Sequence, residues 1–209
     1  MEQDPTAQRI AEAIERDLAQ ATYALSAIEA FEDARNHAEA TDPSLLLDRL
    51  MFGTVYNALW DSVIVALGRV WDNAPGVASL PKLALHYKGA EEAAKVRAAL
   101  TSAAQSARQV LDQLRNKTVA HRAAKLPPSL GSADVALARR DLDEALGYLN
   151  LMGLHIRRPR LNLSISAGMA YRDAKESLSG WMHGRTQRRT SWAKDEPAGW
   201  KSEDEKPQH

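Results

Sequence analysis

Between Gly89 and Pro127 the chain carries neither Gly nor Pro and is rich in Ala. A stretch of good helix formers with no breaker predicts one long α-helix beginning at Ala90, which sets the terms for everything packed around it. Within it Leu100, Ala104, Ala107, Leu111, Leu114, Thr118 and His121 fall on one seam at helical spacing. The small residues of that seam let a neighbouring helix approach closely.

The flanking segments read the same way. Asp4-Pro5 is an N-cap followed by a first helical residue, and Ile14, Leu18, Ala21, Leu25 and Ile28 then recur at steps of four and three, predicting a helix that reaches about Ala38. Asp42-Pro43 repeats the start signal. The stripe Leu47, Met51, Val55, Leu59, Val63, Leu67 and Val70 predicts a second helix running to Trp71. The stretch DNAPGVASLPKLALHYKG breaks the periodicity and is a connection with room for one short helix over 83–87. After KLPPSLGS, Ser132 is placed to cap a fourth helix marked by Val135, Leu142, Leu146, Leu149 and Met152. Leu161, Leu163 and Ile165 alternate like a strand but have no partner strand, so they read as an extended linker before a last helix over 167–181. The expected fold is all-α: an antiparallel bundle of four long helices, a short C-terminal helix and a disordered polar tail. The expected division is a helical domain over 1–157, a linker and helix over 158–183, and a tail over 184–209.

Composition narrows the setting. The chain's 209 residues include no Cys, which rules out disulfides and thiolate metal sites. The acidic, amphipathic N-terminus does not resemble a secretory signal, and no apolar run approaches the roughly 20 residues of a membrane span. A cytoplasmic protein with no membrane attachment is expected. Charge is uneven: residues 1–72 hold 5 Lys and Arg against 13 Asp and Glu, whereas 73–150 and 151–209 each hold 11 against 7. A basic rear can offer polyanions a docking surface, and ordinary scatter of solvated charges accounts for it as well. The six His residues show no paired spacing on a shared face, and phosphate-loop, nucleophile-elbow and dinucleotide motifs are missing, so neither metal nor cofactor is expected.

The long helix ends in DQLRNKTVAHR, where residue types change from those a plain surface helix needs. Six residues at about 100° each put His121 roughly 120° around the helix from Arg115, so the two do not converge within one straight helix. His121 continues the apolar seam, while Arg108, Arg115 and Arg122, spaced seven apart, form a basic stripe along its flank. Two copies meeting about a two-fold axis would bury the seam and let each His121 face an Arg from either chain.

LRNKTVAHR resembles the R-polar-x(3–5)-H signature of HEPN domains, with Arg115, Asn116 and His121 in the motif positions. The block GRVWDNAPGVASLPKLA, leading into the helix that ends in RNKTVAH, resembles the abortive-infection (AbiU-like) branch, over about residues 10–155. Ala123 stands where some relatives carry a Tyr that a partner nucleotidyltransferase modifies, so the resemblance does not extend to that control. It implies a homodimeric, metal-independent endoribonuclease with a composite site, acting as a toxin or phage-defence effector and leaving room for an antitoxin partner.

The chemistry suits the residues. Attack of a ribose 2′-hydroxyl on the adjacent phosphate needs a proton removed and another delivered to the leaving oxygen, and a His with a pKa of about 6.5 serves either step. An Arg fork matches phosphate oxygens and stays charged, and dependence on the 2′-hydroxyl selects RNA. Arg115, His121 and Asn116 are the expected catalytic residues. Lys117, Arg122 and Arg108 are expected to meet the RNA backbone, with Asp112 supporting Arg115 from i−3. The competing reading is a non-catalytic HEPN dimer that binds a nucleotide or a protein partner. Arg157, Arg158, Arg160, Arg185, Arg188 and Arg189, near Trp181 and Trp192, suit single-stranded nucleic acid, although a last helix docked by Trp181 and a solvated tail is the favoured explanation.

Overall fold

The structure is a computed structural model that describes residues 4–41, 49–87, 90–124, 130–155 and 161–195. Helix α1 spans Pro5–Thr41, α2 Arg49–Trp71, α3 Leu80–Leu83, α4 Ala90–Ala124, α5 Ser132–His155 and α6 Ser164–Asp195. No strand occurs among the described residues, so the chain is all-α. No described helix is long and apolar enough to cross a membrane.

α1 starts where the Asp-Pro signal places it. Asp4 Oδ1 accepts the N–H groups of Thr6 and Ala7 at 2.9 and 3.3 Å, filling two of the donors a helix start leaves open. The expected seam of Ile14, Leu18, Ala21, Leu25 and Ile28 is fully buried. α2 lies antiparallel to α1: Glu32 meets Tyr56, Gln20 meets Ser62, and Asp17 meets Arg69.

The core stripe of α2 differs from the expected one. Val63, Leu67 and Val70 are buried, but Val55 is exposed and its place is taken by Tyr56 and Trp60. Repeated steps of four drift about 40° per step around a helix, whereas 56, 60, 63, 67 and 70 alternate four and three and stay on one face. Leu47, Asp42 and Pro43, and the Met51 side chain, lie outside the described residues.

Between α2 and α4 the short helix begins three residues earlier than expected and continues as a 3-10 turn over Ala84–His86. Pro81 falls in its first turn, where its missing N–H leaves no bond unmade. Gly76 turns the loop with a φ of 81°, a conformation that favours Gly. The His86 ring then pairs with Asp4 Oδ2 at 2.8 Å, closing the connection over the start of α1.

α5 is capped by Gly131, not Ser132. The Gly131 carbonyl accepts from Asp134 and Val135, and its own N–H donates to Asp134 Oδ2 at 3.0 Å, a reciprocal cap. After α5 the Asn150 side chain clamps Leu161, accepting its N–H at 2.7 Å and donating to its carbonyl at 3.1 Å. The clamp fixes Leu161 two residues before Leu163, which enters the core, and α6 begins at Ser164, so Ile165, expected in an extended linker, is helical.

The C-terminal helix corrects the expectation most. α6 is 32 residues long, packs along α1 through buried Ala170 and Leu178, and continues through Asp195 across part of the segment read as disordered tail. Once a packed turn exists, adding polar residues to a helix costs little.

Candidate functional site

The RNKTVAH segment occupies the last turns of α4. Leu100, Ala107, Leu111, Leu114 and Thr118 are buried, with the Thr118 hydroxyl donating to the Leu114 carbonyl at 2.8 Å. They belong to the core of this one chain, where α4 packs on α2 and α5. From Leu100 to Thr118 the seam is therefore not free to be buried between two protomers. Intramolecular burial wins because α2 and α5 already cover the stripe without the entropy loss of association.

The opposite side of α4 faces solvent. Arg108, Asp112, Arg115 and Asn116 are exposed, and among them Val119 is an apolar residue that is 55% exposed. Asp112 does not brace Arg115: among the described residues neither enters an ion pair. The guanidinium thus stands at the surface with no carboxylate partner among the described residues. His121 and Arg122 lie in the last turn of α4, but their side chains lie outside the described residues. So do the side chains of Trp181, Arg185, Arg188, Arg189 and Trp192, which all fall on α6, and Arg157, Arg158 and Arg160 lie outside the described segments altogether.

Lys117 is engaged by the protein itself. Its ammonium stands 2.5 Å from Asp134 Oδ1, joining α4 to the start of α5. Beside it, the Leu130 carbonyl lies 3.2 Å from the Tyr56 hydroxyl of α2, which donates to Glu32 Oε1 of α1 at 2.5 Å, and Glu32 Oε2 accepts from Arg35 at 2.6 Å. Burial first, and the Glu32 carboxylate second, push the Tyr56 hydroxyl above the usual phenol range, so it stays a donor. Sequence reasoning missed Asp134, Tyr56 and Glu32. For Asp134 a signal existed, an acidic residue three positions after a Gly at a helix start; for the other two nothing local marks the pairing.

A further buried carboxyl lies away from this helix end. Asp141 is 4% exposed on α5, and burial pushes it up to about 7, against a smaller lowering from the Trp71 indole beside it. Neither Asp141 Oδ2 nor Trp71 Nε1 has a hydrogen-bond partner among the described residues. Also among the described residues, no three His, Asp or Glu side chains gather closely enough to hold a metal ion.

No match was found among curated proteins or among solved structures. A family model described as AbiU2, of the HEPN class, matches residues 4–173, so the match takes in the linker and the first part of α6 as well as the helices before them. The chain belongs to the HEPN AbiU2 family.

Proposed function

We propose that this protein is a metal-independent endoribonuclease of abortive infection that cleaves RNA through attack of the 2′-hydroxyl, with Arg115 and His121 as its catalytic pair. The observation that carries the reading is the state of Arg115. It is exposed on the outer side of α4, without an ion-pair partner among the described residues, six positions before His121 in a chain of the AbiU2 family. A structural arginine on a long helix gains from a carboxylate partner, and Asp112 at i−3 is available but unused.

In this reading the Arg115 fork holds the phosphate oxygens, His121 moves the proton, and exposed Asn116 orients the phosphate by hydrogen bonding. Arg108 and Arg122, seven residues before and seven after Arg115 on the same stripe, track the RNA backbone. Because the two motif residues are about 120° apart on one helix, the site is completed by a second copy of the chain, and HEPN domains commonly dimerise. The α4 seam is buried inside each copy, so the copies meet through the outer side of α4 or its end.

The test is incubation of purified protein with mixed RNA in EDTA, followed by analysis of the ends. Strands carrying 2′,3′-cyclic phosphate, absent with His121→Ala and Arg115→Ala, are the expected result. Cleavage that survives His121→Ala would sink the assignment. A dimer that binds a nucleotide saturably and cuts nothing would identify a non-catalytic HEPN module instead.

A further inference from the structure

We infer that Lys117 and Asp134 form a positioning pair that fixes the end of α4, and with it Arg115 and His121, against the bundle, so that Lys117 is not a substrate-binding residue. The inference rests on the nuclease reading of that helix end and assigns Lys117 a different part in it.

The asymmetry of the pair carries the argument. The Asp134 side chain is 7% exposed, whereas that of Lys117 is 46% exposed. Each Asp134 oxygen has one donor: Oδ1 takes the Lys117 ammonium at 2.5 Å and Oδ2 the Gly131 N–H at 3.0 Å. Lys117 is the cation that neutralises this buried carboxylate among the described residues. Turning it outward to an RNA phosphate would strand the carboxylate in a low-dielectric site, and a breakage of that kind loses more than one point contact on a phosphate returns.

The pair also sits where a helix needs holding. Less than two turns separate Lys117 from the end of α4 at Ala124, and unsupported helix ends fray. Through Asp134 the helix end is tied to the capped start of α5. Its neighbour Leu130 lies against the Tyr56 hydroxyl of α2, which is bonded to Glu32 of α1. Hydrogen bonds that link four helices thus set the angle at which Arg115 is presented, and catalysis by charge stabilisation is sensitive to such placement.

The experiment uses the full chain as wild type, Lys117→Gln, Lys117→Arg and Asp134→Asn. Amide hydrogen exchange is followed over residues 112–124, and RNA cleavage is measured as kcat and KM at several salt concentrations. Exchange near the end of α4 is expected to quicken about tenfold or more in Lys117→Gln and Asp134→Asn, the size of one lost charge-assisted hydrogen bond. In the same two variants kcat drops about tenfold with KM and its salt dependence unchanged, and Lys117→Arg keeps wild-type behaviour. Unchanged exchange in Lys117→Gln overturns the inference. So does a KM rise confined to the Lys117 variants with a salt slope shallower by about one, the mark of a lost phosphate contact. Should Asp134→Asn not fold, Lys117→Gln and its Arg rescue decide alone. If the wild-type protein cuts no RNA, the nuclease reading falls while the exchange data still decide whether the pair holds the helix.

Discussion

The Tyr56 hydroxyl of α2 donates to Glu32 Oε1 of α1 at 2.5 Å, and the two residues are only 5% and 9% exposed. A buried carboxylate that loses such a donor is left partly unsolvated, because water cannot replace it. Tyr56→Phe keeps the ring, including its edge-on contact with Trp60, and removes only the hydroxyl. We expect a loss of about 1–3 kcal/mol in urea unfolding. A loss under about 0.5 kcal/mol would show that the Glu32 carboxylate finds other partners.

Two carboxyls bend the pH dependence of stability in opposite senses. The His86 ring, with the N–H groups of Thr6 and Ala7, holds Asp4 below its ordinary value of 3.8. Its contribution is present above that value and is lost as pH falls below it. Asp141 is raised to about 7, so its protonated form is the one the fold accepts. Stability tied to it is full below 3.8 and is lost as pH rises through about 7. Asp141→Asn removes that second slope. We expect the variant to exceed wild type by on the order of 2–4 kcal/mol at pH 8 and to match it near pH 4. Parallel melting curves from pH 4 to 8 check this, and a gap that stays constant with pH would refute the titration of Asp141.

Leu114 is 1% exposed on the side of α4 that faces α2 and α5 within one chain. Leu114→Ala is expected to cost about 2–5 kcal/mol of folding stability through transfer and cavity formation. Since the stripe is intramolecular, the mass measured by light scattering should not change. A shift from dimer to monomer in a variant that remains folded would mean that the seam is shared between chains.

The parts of the fold that are legible in the sequence are those decided locally. The four-three spacing of Ile14, Leu18, Ala21, Leu25 and Ile28 names a buried face, and Asp4-Pro5 names the residue that begins it. The Ala-rich run to Ala124 names α4 for the same reason. What stays hidden depends on which elements meet. Tyr56 and Trp60 carry polar atoms that count against burial until Glu32 is known to lie opposite Tyr56. Lys117 reads as a free cation because Asp134 is seventeen positions away and on another helix. α6 outruns its expected length because its docking on α1, through Ala170 and Leu178, leaves no strong apolar stripe in the residues beyond. The dimer seam fails similarly: an apolar stripe tells that it is covered, not by whom.

Arg115→Lys separates charge from shape at the proposed site. Both side chains are cationic and Arg115 is exposed, so the substitution should leave stability within about 0.5 kcal/mol. A planar guanidinium gives a phosphate two parallel hydrogen bonds, whereas an ammonium offers a point charge on a flexible stem. If the fork stabilises the pentacovalent phosphorane, kcat should fall about a hundredfold while KM for RNA changes little, since ground-state attraction depends mainly on charge. The comparison is made with one RNA strand at fixed salt, because attraction to the backbone weakens steeply with ionic strength. A rise in KM at constant kcat would place Arg115 among the groups that gather RNA, and the search for the group that stabilises the transition state would move elsewhere on the molecule.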